Sequence, residues 1–434
     1  MSFIILPNQL FNIKYIPTKF KKHKFIIWEH PHYFKKYNYN QKKLILHRAS
    51  MKYYFDYLKK NNFDVAYMEF NKNFKIFSAT MFDPVDKLNI KNVELIETPN
   101  FLLTKLDYHK YKELKGDKFM FHWFYMWGKK INDIIPNVKS KDKDNRKKLP
   151  KNIKIPPLPT NKTDKDYIDE AVTYINKNFS KNYGNTKNFL FPVTHKTAEK
   201  WLSNFLTKKF DKFGPYQDAI DKENDFLFHS CLSTSINIGL INPLEIIKKI
   251  RPLQKKIPIN SYEGYIRQLY WREYQRYCYI YFNFKGKNYF GNNKSLSKKW
   301  YNGTLGIDPV DDCIIKGFEN GYLNHIQRLM VVGNFMNLSQ IKPMDGFRWF
   351  MEFSCDAYEW VMTQNVLDMV FCVTGAKPNG GTMAKPYISS SNYILNMSNY
   401  KKGEWAEKWT KLYHQFVERN RKKLLPFKYY FRSL

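Results

Sequence analysis

A chain of 434 residues is longer than one hydrophobic core usually supports, so two domains are expected. Its 72 Lys and Arg against 39 Asp and Glu leave a net charge of +33, far beyond what solubility needs, which predicts a polyanionic partner such as DNA or RNA. The five cysteines form no CxxC pair and no apolar run reaches about 18 residues, so no zinc site, disulfide framework, membrane span or secretory signal is expected.

The N-terminal part reads as α/β. Phe3 to Leu6 and Phe25 to Glu29 are apolar runs suited to buried parallel strands, the first followed by the turn-like Pro7-Asn8-Gln9. Leu44, Ile45, Met51, Tyr54, Phe55 and Leu58 then recur at helical spacing, and Val65 to Met68 follows as a strand. That rhythm implies a parallel sheet with right-handed crossovers. Residues 1–136 are assigned to this domain. Residues 137–163 read as a linker or surface insertion, because Val138 to Lys154 is rich in Lys, Asp and Asn and prolines follow. Its Arg146-Lys147-Lys148 block fits a solvated loop better than a phosphate contact. From 164 to 434 apolar residues keep helical spacing, with helices predicted near 164–177, 196–208, 243–250, 262–283, 309–338 and 344–361. This second domain is expected to be all-helical.

Several groups in it carry chemistry. Ser230, Ser233 and Thr234 precede an apolar segment holding Asn237, and such hydroxyls either cap a helix or hold a diphosphate at its positive end. Gln268, Trp271 and Arg272 lie three and four apart, placing an amide, a flat indole and a guanidinium on one helical face. That suits a flipped base and its phosphate; an interior helix with an Arg272–Glu273 pair is the other reading. His325 and Arg328 point the same way on a further helix. Trp349, Phe353, Asp356 and Trp360 are expected to share one face of the 344–361 helix, with Trp349 roughly 10 Å along the axis from Asp356.

In order, these motifs, with Gly214-Pro-Tyr216-Gln-Asp218, Glu29-His-Pro-His-Tyr-Phe34, Leu46 to Met51 and Lys385-Pro-Tyr387 to Tyr393, resemble the cryptochrome/photolyase family. The resemblance is closest to the branch of prokaryotic (6-4) photolyases and runs from Phe3 to about Trp409. It implies the photolyase fold, an α/β domain with a parallel sheet followed by an all-helical FAD-binding domain. It implies FAD, active in its reduced form, near Tyr216, Ser230, Leu232, Ser233, Asn237, Gln268, Arg272, Arg328, Asp356 and Asn365. By the same resemblance Trp271 and Lys385 meet DNA and lesion, Tyr387 and Tyr393 line the lesion pocket, and His325 lends a proton. Trp349 is the first donor of a photoreduction relay, with Tyr358 and Tyr301 as further members, Tyr301 replacing a more remote Trp of relatives.

The implied activity is light-driven repair of UV-damaged DNA, with (6-4) photoproducts preferred. Cyclobutane dimers, both lesions, or a cryptochrome-like photoreceptor without repair are the alternatives. Asn324-His325 stands where relatives commonly show two histidines. Asn8 stands where many carry an acidic residue, which leaves an antenna chromophore open. Pro309 and Lys401 to Trp405 stand where cluster-bearing relatives place cysteines, so no iron–sulfur cluster and no other metal is expected, with Trp405 and Trp409 filling the volume. The chain is expected to be an intracellular monomer working on DNA in the cytoplasm, nucleoid or nucleus.

Overall fold

The computed structural model of the protein describes residues 2–72, 76 and 78–431. Strands β1 (Ser2–Ile5), β2 (Lys24–Trp28), β3 (Val65–Met68), β4 (Ala79–Phe82) and β5 (Val93–Ile96) form a parallel sheet in the order β3-β2-β1-β4-β5. Phe3, Ile4 and Ile5 of the central strand are fully buried, as expected of a parallel sheet covered on both faces. The first three strands fall on the predicted apolar runs. β4 and β5 carry weaker signals: each has four residues, and Glu94 and Leu95 on the edge strand face solvent.

Helix α1 (Gln41–Lys60) starts where the Asn40 side chain accepts the Lys42 amide, and it packs along α2 (Lys165–Asn178). Lys42, Lys43, His47 and Arg48 are each at most 4% exposed, which is tolerable only because partners meet them on both sides. Lys43 donates to the Ala357 carbonyl, and His47 Nε2 lies 2.9 Å from the Tyr358 hydroxyl. Arg48 binds Glu29, Glu69 and Glu170 at 2.9, 3.1 and 2.6 Å. The helix is a wall shared by the sheet and the helical part.

That helical part is built on α3 (Ser233–Asn237), α4 (Ile259–Tyr281), α5 (Asp308–Asn320), α6 (Pro343–Phe353) and α7 (Glu359–Met362). The predicted 309–338 and 344–361 helices are each broken. Gly321, at φ 64°, ends α5, and a π-helical segment, Gln327–Gly333, comes later. α6 stops at Phe353 because Ser354 turns to extended backbone. The two breaks meet: the Cys355 amide donates to the Gly321 carbonyl at 2.9 Å, and a Cβ on Gly321 would lie 2.4 Å from Cys355 Sγ. Only glycine suits that position. Trp349, Phe353, Asp356 and Trp360 therefore share no single helical face, and a helix-axis spacing does not describe the separation of Trp349 and Asp356.

Near this break, Asp86 after β4, His32 after β2 and Glu359 of α7 converge at the seam. Asp86 Oδ1 accepts the Trp360 amide at 2.9 Å, while His32 Nε2 stands 4.0 Å from Asp86 Oδ2 and 3.8 Å from Glu359 Oε1. Burial, then the Glu359 charge, pushes the Asp86 carboxyl up to about 7, against the opposing pull of Lys43 and Lys36. The folded chain thus keeps a proton that the unfolded chain loses near the ordinary carboxyl value of 3.8, so this contribution to stability falls as pH rises towards 7. Asp86→Asn is expected to gain stability relative to the parent at pH 8 compared with pH 5, read by urea unfolding. An identical difference at both pH values would contradict the assignment.

Candidate functional site

The paired helix breaks bring the charges of the site together. Arg328 grips Asp356 with both terminal nitrogens, at 2.9 Å to Oδ1 and 3.2 Å to Oδ2, and its Nε donates to the Leu323 carbonyl. Ser233 donates to Oδ2 at 2.7 Å and Ser354 to Oδ1. Burial pushes the Asp356 carboxyl up, but Arg328 and the two hydroxyls outweigh it and hold the group below the usual carboxylate range. The Asp356 carbonyl accepts from Asn237 Nδ2 at 2.9 Å, and Asn237 Oδ1 accepts from Arg272 Nε at 3.0 Å. Arg272 also donates to the Asn100 carbonyl and lies over the rings of Phe101 and Trp360, at 4.3 and 4.9 Å. Its Nη2 is buried without a hydrogen-bond partner, and burial lowers the group to about 10 despite Glu273 at 3.9 Å.

Between these groups lies a cavity of about 180 Å³, lined by Ser230, Ser233, Asn237, Gln268, Trp271, Arg272 and Asp356 together with Ile236, Leu269 and Val361. The structure thus gathers residues that are over 120 positions apart in the chain, as Ser233 and Asp356 are. Asn365 receives the Trp271 indole N–H at 3.0 Å. Leu232 is fully buried at the start of α3, and Tyr216 packs on Phe228 at 5.7 Å; neither lines the cavity. No side chain caps α3, because the capping position is the apolar Leu232; Ser233, the first helical residue, turns to Asp356.

A second cluster is a chain of alternating charge. Arg267, Asp142, Arg146, Asp218 and His325 follow one another at 2.7, 2.5, 3.8 and 3.0 Å. Tyr387 is close to Asp142, Arg146, Asp218 and Arg267, and Tyr393 to Asp218 and Arg146; burial raises both phenols. The Lys385 ammonium lies 5.8 Å over the Tyr387 ring and 4.0 Å over that of Tyr430. His229, one residue before Ser230, stands edge-on to His325 at 5.9 Å with its Nε2 buried and unpartnered. Burial, helped by His325 and Lys209, lowers it to about 3 and keeps it neutral. His325 and Arg328, expected to act on one side, engage different carboxylates, Asp218 and Asp356.

Asp142, Asp218, Arg267 and His229 carry no role expected from the sequence, and Arg146 was expected in a solvated loop. The Arg146 block does not float free: Asn145 is fully buried and donates to the Asn260 carbonyl, and the Lys147 amide donates to Pro215. The Asp142–Arg146 spacing was the available signal. Asn324 is a local cap, its side-chain oxygen accepting the Ile326 and Gln327 amides.

The remaining predicted residues lie outside the cavity. Trp349 is fully buried and donates to the Trp300 carbonyl at 2.6 Å, Tyr358 pairs with His47, and Tyr301 donates to Glu352 at 2.9 Å. Asn8 donates to the Pro84 carbonyl. Trp405 and Trp409 are buried, as are the five cysteines. Among the described residues no His, Cys, Asp or Glu group is arranged to hold a metal ion, and no helix is long and apolar enough to cross a membrane.

Residues 3–100 and 84–191 match the family model of deoxyribodipyrimidine photo-lyase-related proteins. A (6-4) photolyase of Agrobacterium fabrum is 36% identical over 298 residues, 65% of this chain; the match spans 58% of that relative's own length. The uncharacterized protein R855 of Acanthamoeba polyphaga mimivirus is 50% identical over 92 residues, 21% of this chain and 72% of that protein. The structure of a bacterial class III photolyase from Agrobacterium tumefaciens shares the fold, with a TM-score of 0.60 at 14% identity over 98% of this chain and 89% of that one. Motif order, sheet topology and helical site agree with these likenesses: the chain has the photolyase fold, and its residues 3–191 carry the match to the photo-lyase-related family.

Proposed function

We propose that this protein is an FAD-dependent DNA photolyase that repairs UV-induced pyrimidine dimers by light-driven electron transfer, with (6-4) photoproducts preferred. The observation that carries the reading is the cavity between the Asp356–Arg328 pair and the unpartnered Nη2 of Arg272. A buried guanidinium donor without an acceptor fits an anionic or carbonyl oxygen of a ligand. Ile236, Leu269 and Val361 offer apolar contact for a planar ring. At about 180 Å³ the space is below the roughly 300–1,000 Å³ usual for such ligands, so a bound dinucleotide would extend beyond it. Bound and reduced, a flavin supplies the electron.

The chain's own residues orient and protonate. The Trp271 indole, fixed by Asn365, offers a flat surface for a flipped base. His325 meets Asp218 through Nε2, which leaves Nδ1 to give or take a proton at the lesion. Tyr387 and Tyr393 belong to the same charged cluster, and the neutral His229 ring stands edge-on to His325. The cyclobutane reading draws support from Asn324, a backbone-capping amide where relatives of the (6-4) branch commonly carry a second histidine.

Reduced protein illuminated with oligonucleotides carrying one defined lesion tests this. Faster restoration of the (6-4) product than of the cyclobutane dimer is expected, with His325→Ala harming the former more. Repair of neither lesion by flavin-loaded protein would leave the photoreceptor reading. DNA affinity is expected to fall by about 0.9 log unit per log unit of salt for each phosphate neutralised, and a flat dependence would contradict the electrostatic argument.

A further inference from the structure

Beside the charged cluster around Asp218, the fold leaves two phenol rings in water. Leu424, Phe427 and Phe431 are at most 2% exposed, and they pin the helix Arg421–Leu424 and the following short turn, Leu425–Tyr430, to the body of the protein. The same stretch is held from outside: the Tyr289 hydroxyl donates to the Lys423 carbonyl at 2.9 Å, and the Lys423 ammonium to the Tyr289 carbonyl at 2.6 Å. The segment is therefore an anchored ledge, yet Tyr429 is 88% and Tyr430 57% exposed, with Leu425 bare next to them. Contiguous large side chains left in water on an anchored segment mark a contact surface.

Ammonium groups alternate with these rings. Lys428 lies 5.6 Å over Tyr429, while Lys385 lies 4.0 Å over Tyr430 and 5.8 Å over Tyr387. Tyr387 belongs to the cluster in which Asp218 meets His325 at 3.0 Å, so Lys385 joins that cluster to the ledge. The charge that acts on Lys385 is Arg146, of the same sign, and no carboxylate among the described residues offsets it.

Flat rings with uncompensated cations between them suit unpaired nucleic acid, in which every base offers a face for stacking and every linkage a phosphate. Intact duplex offers no such faces, because its bases stack on one another. Flipping a damaged pair out of the helix breaks that stacking beside the lesion and frees them. The net charge of +33 favours a polynucleotide here over a second copy of the same basic chain. We propose that Leu425–Tyr430 is a docking ledge for unpaired bases beside the flipped lesion, with Tyr429 and Tyr430 as stacking rings and Lys385 and Lys428 as phosphate contacts. The inference rests on the DNA-repair reading above.

Fluorescence anisotropy of the full chain in the dark tests the proposal, with end-labelled oligonucleotides that carry one defined lesion and are single-stranded or fully paired. Tyr429→Ala combined with Tyr430→Ala is expected to weaken binding of the single strand about 10-fold or more, and of the duplex less. Its salt dependence is expected to match the parent's, because the lost groups are neutral. Tyr429→Phe combined with Tyr430→Phe is expected to bind like the parent, since the ring and not the hydroxyl makes the stack. Lys428→Ala is expected to lower the salt slope on the single strand by about 0.7. Both rings are exposed, so their removal leaves the core intact. Parental affinity of the double alanine protein for the single strand overturns this proposal alone, as does self-association of the parent in sedimentation that the same variant abolishes. A parent with no affinity for any lesion-bearing oligonucleotide sinks the underlying repair reading with it.

Discussion

Asp356→Ala is expected to yield a protein that retains no flavin and unfolds about 3–5 kcal/mol more easily. The carboxylate is 7% exposed, and it is the shared partner of Arg328, Ser233 and Ser354. Its loss leaves the Arg328 guanidinium, only 16% exposed, facing apolar surroundings without a counter-charge. Breaking one side of a buried pair costs more than the pair was worth, because the surviving charge is stranded. Asp356→Asn keeps the shape and some of the hydrogen bonds, so its loss should be smaller than that of the alanine variant. The ratio of flavin to protein absorbance after gel filtration reads the first effect, and the urea midpoint reads the second. Parental values of both for the alanine protein would remove Asp356 from the site.

The other large effect is expected far from the cavity. Arg48 lies between Glu29, Glu69 and Glu170 and stacks 3.8 Å over the Tyr174 ring. Glu29, whose side chain is fully buried, also accepts from Tyr67 and Tyr174 at 2.7 and 2.9 Å. Arg48→Met is expected to destabilise the fold by about 3–5 kcal/mol, since Glu29 is left buried and unpaired. Arg48→Met with Glu29→Gln should recover part of that loss, because the stranded charge is then gone. Arg48→Lys is expected to stay well short of the parent, as a single ammonium cannot fork between carboxylates on three elements. Equal losses in the single and double variants, measured by urea unfolding, would show that packing and not charge governs the locus.

Much of the architecture was legible because its signals are local. The apolar runs at Phe3 and Phe25 mark β1 and β2, and the helical spacing between Lys42 and Leu58 marks α1. The cavity residues on α4 were legible too, since Gln268, Trp271 and Arg272 need only one helix to share a face. What was not legible depends on distant chain segments. The breaks at Gly321 and Ser354 sit inside stretches whose apolar periodicity runs on, and they are set by a contact between positions 34 residues apart. The alternating charges from Arg267 to His325 draw on four separate segments, so no spacing rule could align them. His229 looked like one more polar residue before α3 until the fold placed His325 against it.

The charged face of α1 has a further meaning for how such a protein can evolve. Neither neighbour can withdraw from this helix without abandoning groups such as Lys43 and Arg48 in a low-dielectric gap. The α/β half is therefore not an interchangeable module. Recombination that swaps it for a homologue's must carry Glu170, Ala357 and Tyr358 along, which ties the inheritance of both halves to a single helix.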